Sequence, residues 1–295
     1  MFVTRHSLLK ILVAGSKGML GTDLVEVLGL AHSVIGVDID ELDITDRQAV
    51  EERIGGWSPD LVINAAAYTD VDASEREPAL ALRINAEGVE NLALACRSMG
   101  VRLIHLSTDY VFDGKKASPY VESDRPHPMG AYGKSKWEGE QRARRIEPEV
   151  CIVRTAWLYG QRGRNFVRSI LEQSEKTRTL RVVRDQTGSP TYTRDLAQAL
   201  KVVAEKRLAG VYHVTNQGSC TWFDFARKIL ELAGRQDVDV VPISTEELGR
   251  SAPRPSRSVL DCTKFQRDSG LALREWPEAL RACLLSTQGA SKNTH

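Results

Sequence analysis

The sequence predicts an α/β chain: a Rossmann-type doubly wound parallel sheet with a smaller C-terminal substrate-binding lobe. Three observations carry this. Short apolar runs alternate with helix-periodic stretches through the first half of the chain. The glycine turn Gly15-Ser16-Lys17-Gly18-Met19-Leu20-Gly21 directly follows the first run and opens a helix. Two polar stretches, 107–114 and 132–136, then fall at the end of a strand and the start of a helix.

The elements follow in order. Residues 10–14 form an apolar run suited to a buried parallel strand. A helix over 19–30 follows from its apolar spacing, and a second strand over 32–37 ends at Asp38. Thr45 is expected to cap a helix over 46–54. Residues 60–64 read as the third strand. A long helical region over 74–99 is expected to break near Pro78 and to close at Gly100. Residues 101–106 give the fourth strand, 131–146 a helix, and 150–154 the fifth strand. Beyond Thr155 the alternation loosens. Helices are expected over 166–176, 192–206 and 222–233, with strands over 180–184, 211–214 and 238–243. The prolines of 251–257 mark a loop. The organisation expected is a dinucleotide-binding domain over 1–155, a lobe over 156–287 of which part of 180–215 returns to the sheet, and a polar tail over 288–295 that frays.

Composition narrows the function. The 295 residues carry 40 basic and 39 acidic side chains, so no nucleic-acid partner is indicated. No apolar run approaches a membrane span and the first ten residues lack a signal-peptide core, which predicts a soluble cytoplasmic protein. Five scattered cysteines read as buried free thiols of a reducing compartment. No metal site is indicated; a Mg2+ ion at a subunit contact and a homodimer are compatible with the sequence but unsupported by it.

Tyr132 and Lys136 lie four apart, hence on one face of a helix. An ammonium beside a phenol is expected to lower the tyrosine pKa from about 10 towards working pH, where a general acid acts best. Among seven tyrosines a chance Tyr-x-x-x-Lys arises about one time in four, so the spacing alone is weak. Its place after a glycine turn and a Ser107-Thr108 pair strengthens it. In the turn, Gly15, Gly18 and Gly21 allow backbone to approach a pyrophosphate at a helix N-terminus. Asp38 ends the second strand, where a carboxylate accepts hydrogen bonds from an adenosine ribose and repels a 2′-phosphate. NADH is therefore favoured over NADPH, with Lys17 as a counterweight.

With these residues in place, the chain resembles the extended short-chain dehydrogenase/reductase superfamily and, within it, the dTDP-4-dehydrorhamnose reductase family. The resemblance rests on the glycine turn, Asn64-Ala65-Ala66-Ala67-Tyr68-Thr69-x-Val71-Asp72, the 107–114 and 132–136 stretches, Arg154-Thr155-Ala156-Trp157-Leu158-Tyr159-Gly160, Asp185-Gln186-x-Gly188-x-Pro190-Thr191 and Arg254-Pro255-x-x-Ser258. It implies a catalytic set of Thr108, Tyr132 and Lys136. It implies cofactor contacts from Gly15, Gly18, Met19, Leu20, Asp38, Asp43, Ile44, Ala65, Ala66 and Ala67, with Tyr132 and Lys136 at the nicotinamide end. It implies nucleotide-sugar contacts from Thr108, Asp109, Trp157 and Arg254, the last on the diphosphate. Tyr68 and Thr187 depart from residues frequent in the family. The rivals are a nucleotide-sugar epimerase or dehydratase of the same superfamily, and a non-catalytic subunit resembling the regulatory beta subunit of methionine adenosyltransferase.

Overall fold

The computed structural model describes residues 8–292. Its centre is a six-stranded parallel sheet. Five strands come in succession: β1 (Lys10–Ala14), β2 (Ser33–Val37), β3 (Leu61–Asn64), β4 (Arg102–Thr108) and β5 (Cys151–Thr155); the sixth, Gly210–His213, joins β5 at the edge. The order across the sheet is Gly210–His213, β5, β4, β3, β1, β2. Chain direction across the sheet reverses at β1 and β3, and the crevice at the carboxyl ends of those strands is where doubly wound sheets bind ligands.

The pleat explains why both faces are covered. Ile11 and Val13 of β1 point to one side, packing with Leu24 and Leu28 of helix α1 (Met19–Gly29) and with Leu196 and Leu200. Leu12 and Ala14 point to the other side, against Val50, Ile54, Leu92 and Ala143. The smaller lobe has its own core around Tyr159, Tyr192, Phe225 and Leu280, beneath a parallel pair of strands, Thr179–Val183 and Asp239–Ile243.

Several expectations are corrected. Asp46, not Thr45, caps the helix Arg47–Trp57, its carboxylate accepting from Ala49 N; Thr45 instead donates its hydroxyl to Asp43 Oδ1 at 2.8 Å. The long helical region breaks twice: at Glu77–Pro78 as expected, and again in a π turn, Arg83–Glu87, before the helix Gly88–Met99. The helix Trp276–Lys292 runs into the expected tail, whose last three residues lie outside the described ones, as does much of the leading segment. Four cysteines are buried and in no disulfide, while Cys262 is half-buried. Among the described residues no helix is long and apolar enough to cross a membrane, and no three His, Cys, Asp or Glu side chains gather as metal ligands.

Candidate active site

The glycine turn is built for close approach. Gly15 has a left-handed backbone, φ +79°, and a Cβ there would stand 2.6 Å from Ala66 N; on Gly21 it would stand 2.0 Å from the Gly15 carbonyl oxygen. The N–H groups of Gly15 and Ser16 both donate to Val37 O, tying the turn to the end of β2. Gly18 precedes α1 without a side-chain cap, and the first turn of α1 carries no acid. Its free N–H groups are thus available to an anion.

The turn opens on a groove of about 640 Å³ lined by Gly15, Gly18, Asp38, Asp43, Ile44, Ala65, Ala66 and Ala67. Eight of the twelve residues expected at a dinucleotide therefore share one cleft at the β1–β3 switch, and Tyr132 and Lys136 are not among its lining. Met19 and Leu20 do not line it. Leu20 is buried in the sheet core, and Met19 sits under Gly160 and Asn165, so only their backbone N–H groups are on offer. The cleft fits an extended dinucleotide on these grounds: bare Cα atoms at the turn, an uncapped helix end and an apolar floor. Asp38 accepts from Lys17 N at 2.8 Å and Ile39 N at 3.0 Å. The Lys17 ammonium is held by Asp40 and Glu41, at 2.9 and 3.1 Å.

Past the groove, β4 ends at Thr108 and the chain turns through Asp109–Val111. The helix Ala131–Ile146 brings Tyr132 and Lys136 alongside. Gly133 permits this contact, since a Cβ there would stand 2.2 Å from the Tyr110 carbonyl oxygen. The Tyr132 ring meets Tyr110 edge-on, centroids 5.5 Å apart. The expected acidification of Tyr132 is not found. Burial pushes its phenol up to about 12, the neighbouring Thr108 hydroxyl acts the other way, and the Asp109 charge raises it further. Lys136 donates to the Leu106 carbonyl at 2.7 Å, and burial brings its ammonium down to about 8. Burial also pushes the Asp109 carboxyl up to about 6, against the hydroxyls of Ser258 and Thr108.

Of the residues expected at a sugar nucleotide, Thr108 and Asp109 stand at the end of β4, and Trp157 and Arg254 come from later segments. Trp157 adopts a left-handed backbone, φ +47°, and its indole stacks on Trp222 with centroids 3.5 Å apart and planes at 7°. Gly188 leaves room for that ring, because a Cβ would come within 2.4 Å of it. The fork of Arg254 is taken by Asp72, and its charge also acts on the buried Tyr110 phenol.

Sequence reasoning passed over three residues. Asn85, fully buried in the π turn, accepts from Tyr68 N at 2.8 Å and donates to Ser135 Oγ at 3.0 Å, joining the cofactor groove to the tyrosine helix. Trp222 carries no local signal beyond its amphipathic helix. Glu140 follows Lys136 by four residues, a spacing visible in the sequence, and bonds Ser107 and Arg154.

Known proteins confirm the family. Residues 9–288 match the family model described as the RmlD substrate binding domain. A dTDP-4-dehydrorhamnose reductase from Aggregatibacter actinomycetemcomitans is 40% identical, over 92% of this chain and 97% of the relative. A spore coat polysaccharide biosynthesis protein from Bacillus subtilis is 41% identical, over 95% and 99%. The solved structure of a dTDP-4-dehydrorhamnose reductase from Bacillus anthracis in complex with NADP superposes with a TM-score of 0.92 at 38% identity, covering 95% of this chain and all of that one. With its sheet, its glycine turn and nearly its whole length accounted for, the chain belongs to the RmlD substrate binding domain family.

Proposed function

We propose that the protein reduces the 4-keto group of dTDP-4-dehydro-L-rhamnose to give dTDP-L-rhamnose, using a nicotinamide dinucleotide. The observation that carries this is the meeting of Thr108, Tyr132 and Lys136 at the end of β4, beside the groove opened by the glycine turn. When bound, the reduced nicotinamide supplies hydride to C4. The chain supplies placement and a proton. Tyr132, held protonated by burial, donates its phenolic proton to the ketone oxygen as negative charge develops there. A sugar alkoxide is more basic than a phenolate, so even this weak acid transfers the proton downhill. Lys136 spends one of its three N–H donors on Leu106 O, which leaves two for the phenolate and the cofactor ribose. Thr108 orients the carbonyl. Asp109, Trp157 and Arg254 contact the sugar nucleotide. The backbone N–H groups of Met19 and Leu20, with Gly15 and Gly18, hold the pyrophosphate. Asp38 takes the adenosine ribose, Asp43 and Ile44 flank the adenine, and Ala65 to Ala67 line the cofactor's path.

NADH is the preferred donor in this reading. A 2′-phosphate would meet three carboxylates, Asp38, Asp40 and Glu41, while the Lys17 ammonium is already engaged by two of them. The dehydratase reading lacks its second carboxylate, because Tyr110 follows Asp109 where that chemistry needs a glutamate.

Incubating the protein with dTDP-4-dehydro-L-rhamnose and NADH or NADPH, while following reduced-nicotinamide absorbance, tests the proposal. Oxidation with either cofactor is expected, faster with NADH. No oxidation with either would leave a binding role instead, and NAD that co-purifies tightly would point to an epimerase.

A further inference from the structure

We propose that Glu140 is a positioning residue of the reductive step: its buried carboxylate holds the Ser107–Thr108 end of β4 and supplies the counter-charge that keeps Lys136 an ammonium. The inference rests on the reading above, in which Lys136 works charged.

Tyr132, Lys136 and Glu140 fall at successive fourth positions of the helix Ala131–Ile146, so all three face the sheet. Glu140 is 0% exposed. It accepts from Ser107 Oγ at 2.5 Å, from Arg154 Nη2 at 2.7 Å and from Arg154 Nε at 2.9 Å. Arg154 is fixed in turn: its guanidinium lies over the rings of Phe112 and Trp137, with His213 Nε2 at 3.4 Å from Nη1. A purely structural ion pair needs only the arginine. The bond from Ser107 extends it to the residue next to Thr108.

The charges around Lys136 leave that task to Glu140. On β4, His105 is held neutral by burial and by Lys136 itself. On β5, Arg154 is spent on Glu140. On the turn after β4, the Asp109 charge bears on Tyr132 and Tyr110. Burial drives Lys136 towards its neutral amine, and Glu140 is the charge that opposes this.

The test separates charge from packing. The double variant Glu140→Gln/Arg154→Met removes both charges yet keeps an acceptor for Ser107, and replacing a buried pair together commonly preserves the fold. We expect it to keep its KM, while the alkaline limb of its kcat profile moves down by about one pH unit or more. Glu140→Asp, which retains the charge, should keep the limb near the wild-type position. A wild-type limb in the double variant would overturn the proposal. If that variant does not fold, Ser107→Ala decides: a kcat about tenfold lower at unchanged KM supports positioning, and an unchanged kcat overturns it. Should Lys136→Met turn over like wild type, the reductive reading itself fails, which is a separate outcome.

Discussion

Asp72 and Arg254, 182 residues apart, form a forked ion pair, with Nη2 at 2.8 Å from Oδ2 and Nη1 at 3.2 Å from Oδ1. The same carboxylate accepts from Ser251 Oγ, from Ala252 N and from Arg250. These donors hold the Asp72 carboxyl well below the usual carboxylate range, the Arg254 bond contributing most. The expected contact of Arg254 with a diphosphate therefore competes with a bond already in place.

Asp72→Ala is expected to release the segment 250–254. The pair is partly buried, so the loss is about 1–3 kcal/mol of stability, read as a lower denaturation midpoint. KM for the sugar nucleotide should change more than kcat, because Asp72 lies away from the reacting atoms. Steady-state kinetics with circular dichroism melts check both.

Tyr132→Phe removes the proton donor and little packing. Turnover should fall about 100-fold or more, with dinucleotide binding by calorimetry unchanged. Near-normal single-turnover reduction would remove Tyr132 from the chemistry.

Asp109 gives stability a pH signature. Its carboxyl titrates near 6 in the folded chain, above its unfolded value of 3.8, so the folded state holds the extra proton between these values. This contribution is complete below pH 3.8 and is lost as pH rises through 6. Asp109→Asn does not titrate there. Relative to wild type it should gain up to about 3 kcal/mol between pH 4 and 7, measured by urea melts at each pH. A gap that stays constant with pH would show that Asp109 is not held protonated.

Asp38→Ala should narrow the preference for NADH. Removing a carboxylate beside a 2′-phosphate improves NADPH binding, while the lost ribose bonds weaken NADH by about tenfold. Titration with 2′,5′-ADP and with ADP reads the change without any turnover. Unaltered relative affinities would take Asp38 out of cofactor selection.

What could be read from the chain divides along physical lines. The strands β1, β3, β4 and β5 and the helix over 131–146 were legible because buried parallel strands are nearly continuous apolar runs and the helix keeps a regular period. The glycine turn was legible because close backbone approach excludes side chains at Gly15 and Gly21. The π turn at Arg83–Glu87 was not, since one extra residue in a helix leaves the apolar spacing nearly intact. Nor was the sign of the Tyr132 shift, because spacing places Lys136 on the right face but cannot say that the phenol is buried. The Asp72–Arg254 pair and the Trp157–Trp222 stack join distant segments and have no local signature.

The backbone of Trp157 has a consequence for anyone diversifying this chain. A left-handed, bulky residue costs roughly 1–3 kcal/mol, which glycine or asparagine would recover. Removing the indole also forfeits its stack on Trp222, so a library varied at position 157 and screened for thermal tolerance weighs the relieved strain against that lost packing. The same library screened for product should return the indole.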